Sequence, residues 1–196
     1  MSGGTITGNS ATQGGGVYIT GASTYLPTFT MSGGTITGND ISGSTDSMGG
    51  GIYNNGAILA LTGGSITGNK VAKSGGGVYQ PNSGTLNLSG SIVISGNTVG
   101  NENSNLHFGS NNGILSATIV ASFSEGASIH VTLEADDGTS GGTGTFTNGY
   151  TTYHSYATPS KWFTSDQGNV IWISGNEVSS DPATGISTLS TTPTTG

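Results

Sequence analysis

Apolar residues in the first hundred positions fall largely into short alternating stretches, many of them flanked by hydroxyl residues. Ile6 lies between Thr5 and Thr7, Ile36 between Thr35 and Thr37, Ile66 between Ser65 and Thr67, and Ile94 between Val93 and Ser95. A second alternating stretch runs Thr28-Phe29-Thr30-Met31, then Leu59-Ala60-Leu61-Thr62, then Leu86-Asn87-Leu88-Ser89. A third apolar position, Val17, Ile52 or Val78, follows a triplet of glycines and precedes a tyrosine. A period of two marks a strand with one buried face. Helices have little foothold, because glycine and β-branched residues recur every few positions. The pattern predicts three short strands per unit, each unit stacked on the next. The expected fold is all-β: a right-handed parallel β-helix, a three-sided solenoid of about four coils.

The unit is a repeat. MSGGTITGN occupies residues 1–9 and again 31–39, and LTGGSITGN occupies 61–69, so the phrase recurs every 30 residues. A degraded copy ends at Asn97, 28 residues after Asn69. A fixed interval of this size is the signature of a stacked architecture. The Gly-Asn step after each Ile-Thr reads as a corner, since glycine accepts a positive φ without strain. Asn9, Asn39, Asn69 and Asn97 are then expected to stack as a structural turn ladder, their amides linked at about 4.8 Å per rung. The spacers 10–13, 40–48 and 70–74 differ in length, so insertions are pushed out as loops. With 19–27, they are the places where a binding surface would be built.

Gly-Gly-Gly-Val-Tyr and Ile-Thr-Gly-Asn resemble the GGA[I/V] and FxxN elements of bacterial surface β-helix repeat proteins, such as polymorphic outer-membrane adhesins and autotransporter passengers. The matching positions are Gly15-Gly16-Val17 with Ile6 and Asn9, Gly50-Gly51-Ile52 with Ile36 and Asn39, and Gly76-Gly77-Val78 with Ile66 and Asn69. Isoleucine replaces the family's phenylalanine, and no β-barrel is present. The resemblance covers residues 1–108. It implies a fold more than a function, because β-helices carry adhesins, lyases, hydrolases and inert stalks.

Beyond residue 108 the period fails. Apolar strands are expected at 114–120, 128–133, 150–156, 162–164 and 169–174, with a Gly/Thr loop at 138–149. The large aromatics here, including Trp162 and Trp172, suit a lid over an open solenoid end. The expected organisation is therefore repeats over 1–108, a β-rich cap over 109–178, and a Ser/Thr/Pro-rich linker or tail over 179–196.

Composition sharpens this picture. Only 31% of the 196 residues are hydrophobic and 7% charged, while glycine fills 37 positions, a balance suited to extended backbone held by hydrogen bonds. Ten acidic residues face three lysines (Lys70, Lys73, Lys161) and there is no arginine, giving a formal charge of −7. Nucleic acid is not an expected partner of such a chain, nor is an anionic membrane. No apolar run is long enough to insert directly into a bilayer as a helix. Cysteine is absent, which excludes disulfides and thiolate metal sites. No signal peptide is visible, yet Met1 holds the place in its phrase that Met31 holds in the next. The sequence thus reads as part of a longer chain, located outside the cell or on its surface.

Catalytic chemistry has few carriers. Glycoside hydrolysis needs carboxylates flanking one bond, and the repeats hold only Asp40 and Asp46, in one loop. Asp136 and Asp137 precede a glycine and read as a turn. His107, His130 and His154 are scattered, so neither a metal nor another cofactor is expected. Surface files remain. Thr5, Thr35, Ser65 and Val93 fall into one outward column and Thr7, Thr37, Thr67 and Ser95 into its neighbour, resembling the Thr-x-Thr arrays of ice-binding solenoids, an array that Ser65, Val93 and Ser95 degrade. Tyr18, Tyr53 and Tyr79, continuing to His107, form an aromatic column able to meet sugar rings or to support itself. The expectation is a non-enzymatic cell-surface or secreted module, adhesin-like or a structural stalk, contacting glycans or surface proteins. Ice binding through the threonine face and a polysaccharide lyase or hydrolase are the alternatives.

Overall fold

The computed structural model describes residues 1–22, 24–81, 83–109, 116–133, 144–154 and 158–181. The expected aspartate pair at 136–137, the start of the 114–120 strand, the first half of the Gly/Thr loop, the end of the 150–156 strand and the tail from 182 lie outside the described residues.

The architecture is a three-sided parallel β-solenoid. Its first face stacks the isoleucines in register: Ile6 on Ile36, Ile36 on Ile66, Ile66 on Ile94, Ile94 on Ile129, and Ile129 on Phe163. The second face stacks Val17, Ile52, Val78, Leu106 and Val131. The third carries Phe29, Leu59 and Leu86 beside Met31, Leu61, Leu88 and Ile119. These files meet in one core, where Ile36, Ile52, Leu59, Leu61, Ile66, Leu88 and Ile94 are fully buried. A chain poor in apolar residues can fill such a core because every rung reuses the same few positions.

Two expectations are corrected. The solenoid has about five coils, not four. Ala117–Phe123 stacks on Thr85–Gly90, and Ser128–Leu133 stacks on both Val93–Ser95 and Leu106–Phe108. The last of these strands runs straight from the first face to the second, with no Gly-Asn corner, so the repeat phrase cannot reveal it. Likewise the third strand of one unit and the first of the next are fused into single ten-residue strands, Thr28–Thr37 and Ile58–Thr67, kinked at Gly33-Gly34 and Gly63-Gly64.

The second correction is Tyr150–His154, which is a helix rather than a strand. Glu177 explains it. The carboxylate accepts hydrogen bonds from the Gly149 and Tyr150 amides at 2.8 and 3.0 Å and from the Thr147 hydroxyl at 3.0 Å. An anion on those freed amides stabilises the first turn. This helix, Trp162 and the hairpin Val170–Ser174 with Glu177–Asp181 close the far end. Phe146, Tyr150, Phe163, Trp162 and Phe123 form an aromatic plug there, with rings 5.3 to 6.3 Å apart across four contacts.

Candidate functional site

The Gly-Asn corner builds a continuous polar ladder through the stacked coils. Gly8, Gly38, Gly68 and Gly96 have φ between 62° and 69°, turning each asparagine under the coil above. Asn9 Nδ2 donates to Asn39 Oδ1, Asn39 to Asn69, Asn69 to Asn97 and Asn97 to Asn105, each at 2.9 Å. Each accepting oxygen takes a second bond, from the backbone amide of the same donor residue, at 2.8 to 3.1 Å. The other Nδ2 proton goes to the carbonyl of Ile6, Ile36 or Ile66. Every polar atom of a buried rung is thereby used, as burial requires.

A ladder of donors must end on a group that only accepts. That group is Asp166, whose side chain is fully buried. Its carboxylate takes the Asn105 amide at 2.8 Å and Asn105 Nδ2 at 2.7 Å, and the Thr132 hydroxyl at 2.7 Å. The four asparagines were legible from spacing. Asn105, only 8 residues after Asn97, was not, because a hairpin of Thr98–Val99 with Glu102–Asn103 fills the corner between them. No pattern in the sequence marks Asp166.

The glycine triplets make room for this ladder. A Cβ on Gly16, Gly51 or Gly77 would sit 2.6 to 2.7 Å from a carbonyl oxygen of the next coil and 2.7 to 3.1 Å from the Nδ2 of Asn39, Asn69 or Asn97. The first glycine of each triplet supplies a left-handed turn, with φ of 59°, 69° and 67° at Gly14, Gly49 and Gly75.

The aromatic column forms as expected. Tyr18, Tyr53, Tyr79 and His107 occupy successive rungs of the second face. Their ring centroids are 5.3, 5.4 and 5.5 Å apart, tilted by 54°, 43° and 41°. Tyr18 is 45% exposed and Tyr53 only 9%, so a ligand would meet Tyr18 and the half-buried Tyr79 before Tyr53. Burial, and then the neighbouring Tyr18, push the Tyr53 hydroxyl pKa up. Asn55 Nδ2 donates to the Tyr18 hydroxyl at 2.9 Å. At the next corner, Tyr25 and Leu26 are the most exposed large apolar residues described.

The hydroxyl columns also form. Thr5, Thr35, Ser65 and Val93 are in register, as are Thr7, Thr37, Thr67 and Ser95. Ser65 Oγ donates to Thr35 Oγ1 at 3.3 Å. Thr5 and Thr7 are exposed and the rungs from Thr35 to Ser95 are half-buried.

In the 40–48 loop, Asp40 accepts from the Ser42 hydroxyl at 2.6 Å and its amide at 3.0 Å, which holds its carboxyl below the usual range. Asp46 faces Lys73 at 3.4 Å, both well exposed. His130 Nδ1 lies 3.7 Å from Asp166 Oδ1, His107 ends the tyrosine column, and His154 packs into the plug. Among the described residues no three of His, Asp or Glu converge to hold a metal, and no helix is long and apolar enough to cross a membrane. The chain matches no protein-family description, no curated protein and no solved structure.

Proposed function

We propose that this chain is a non-enzymatic module of a secreted or cell-surface protein. It is a stiff β-helical stalk, similar to the adhesin-like repeat proteins of bacterial surfaces, whose outward columns touch glycans or surface proteins. The observation that carries this reading is the unbroken amide ladder from Asn9 to Asp166. It fixes each coil to the next and so presents the same side chain at regular intervals along one rigid surface. Repetition of weak contacts on a stiff support raises overall avidity without any single strong site. The tyrosine column is the first contact surface on this view, because aromatic faces with an adjacent amide suit sugar rings.

One observation favours a second reading. The paired columns led by Thr5 and Thr7 carry hydroxyls spaced about 6.6 Å along the strand and 4.8 Å between rungs, a spacing suited to ordered water. Ice binding would use Thr5, Thr7, Thr35, Thr37 and Thr67.

One experiment separates the readings. The protein and two variants, Tyr18→Ala with Tyr79→Ala and Thr37→Lys with Thr67→Lys, are applied to a glycan array and to an ice-recrystallisation assay. The proposal expects glycan binding by the native chain, at least tenfold weaker in the tyrosine variant and unchanged in the threonine variant. Ice activity lost only in the threonine variant would replace it with the second reading. Binding unaffected by the tyrosine changes would remove the aromatic column from any contact role.

A further inference from the structure

Residues 1–9 and 31–39 are the same nine residues, and the first stretch lies on the second in parallel register, with Thr5 on Thr35, Ile6 on Ile36 and Thr7 on Thr37. One edge of 31–39 therefore binds a strand of sequence MSGGTITGN. The corresponding edge of residues 1–9 has identical chemistry and faces away from the solenoid.

Each face of the first coil repeats this condition. Ile6, Val17, Phe29 and Met1 are only partly buried, whereas their counterparts Ile36, Ile52, Leu59 and Met31 are fully buried by the coil above them. Asn39 Oδ1 receives the amide and Nδ2 of Asn9 at 3.1 and 2.9 Å, and Asn9 Oδ1 is the equivalent acceptor on an exposed residue. Tyr18 covers Tyr53 at 5.3 Å and is itself 45% exposed.

We infer that the edge of the first coil is a docking surface for a further coil of the same 30-residue repeat. The incoming coil lies in parallel register, its Ile-Thr-Gly-Asn phrase placing an asparagine over Asn9 and its Gly-Gly-Gly-Val-Tyr placing an aromatic ring over Tyr18. Three features select this occupant over an arbitrary strand. The ladder accepts an asparagine only when the strands are parallel and in register. A Cβ on Gly15 would lie 2.5 Å from the Gly50 carbonyl oxygen of the coil below, so at the same spacing an incoming coil must itself carry glycine over Gly15. The apolar ends exposed on all three sides match an isoleucine, a valine and a phenylalanine at the same positions of the repeat. The inference rests on the stacking of the coils and not on what the outer surface contacts.

The test is to fuse a second copy of residues 1–30 ahead of Met1 of the full chain, beside a control carrying the same residues scrambled. The expected result is a melting temperature raised by about 4 °C or more over the unfused chain, with the added coil resistant to limited proteolysis and the scrambled segment trimmed back. Asn9→Ala gives a second readout. In the unfused chain it removes an exposed rung and should move the melting temperature little. In the fused chain it removes an interior rung, and the shift should match that of Asn39→Ala in the unfused chain. Trimming of the true copy to Met1, or an equal Asn9→Ala shift in both chains, would overturn the inference.

Discussion

At the scale of single residues, the molecule depends on pairing buried amides completely. Asn39, Asn69, Asn97 and Asn105 have no solvent exposure, so any rung removed leaves donors or acceptors with nothing to meet. An unpaired buried polar group costs about 1–3 kcal/mol. Asn69→Ala should therefore destabilise by roughly 2–4 kcal/mol, since it strands the Asn39 amide and side chain, which both donate to Asn69 Oδ1, and takes the Nδ2 donor away from Asn97 Oδ1 and the Ile36 carbonyl. Asp166→Ala should cost a similar amount, because Asn105 donates to it twice and Thr132 once. Asp166→Asn is the sharper change. It keeps size and shape but turns one acceptor into a donor facing Asn105 or Thr132, and it should recover less than half of the loss. Urea unfolding of the three variants reads this directly. If Asp166→Asn proved as stable as the native chain, the carboxylate would not be the terminus that the ladder requires.

At the scale of elements, the corner between the first and second faces decides how closely coils approach, and the glycine triplets set that approach. Gly51→Ala would force a Cβ to within 2.6 Å of the Gly77 carbonyl oxygen and 3.1 Å of Asn69 Nδ2. Backbone cannot yield there without parting two coils, so a loss of about 2–4 kcal/mol is expected. Gly43→Ala, in the loop with nothing near its Cβ, should change stability by less than about 0.5 kcal/mol. Thermal melts of the pair test whether the triplet answers to close packing or to chain flexibility alone. The same corner explains what the sequence made legible. Files of Ile6, Ile36, Ile66 and Ile94, the tyrosine column and the asparagines could be read because each position recurs with its neighbours intact. The fifth coil could not, because Ser128–Leu133 crosses between faces without a corner and carries no repeat phrase. The Tyr150–His154 helix was hidden for another reason. Tyr-Thr-Thr-Tyr favours strands by local propensity, and only Glu177, brought from 27 residues away, reverses it.

At the scale of the whole molecule, the two ends of the solenoid are unlike. The end nearest residue 1 shows partly buried apolar side chains and an exposed asparagine, whereas the far end is sealed by aromatics and by Asp166. Sealing has introduced an ionisable group into the plug. His154 is buried, stacked on Tyr150 at 4.8 Å and on Phe123 at 5.1 Å, and near Trp162 at 5.7 Å. Burial, and then the positive charge of Lys161, hold its pKa below the usual histidine value. Tyr150 beside it is pushed up to about 12 by burial and so stays neutral. A histidine with a depressed pKa is neutral in both states above the unfolded value of about 6.5, and there it contributes no pH dependence. Below that value the unfolded chain takes up the proton first, so stability falls as pH drops toward the folded pKa and then levels off. The melting temperature should hold steady from pH 8 to 7 and decline from about pH 6.5 to 5. His154→Gln removes the titrating group. It also forfeits the ring stacking and the acceptor that Phe123's amide meets at 3.4 Å, so the variant should start lower yet show a flatter profile over the same range. An equal slope in both chains would place the pH response elsewhere and leave the plug a purely apolar seal.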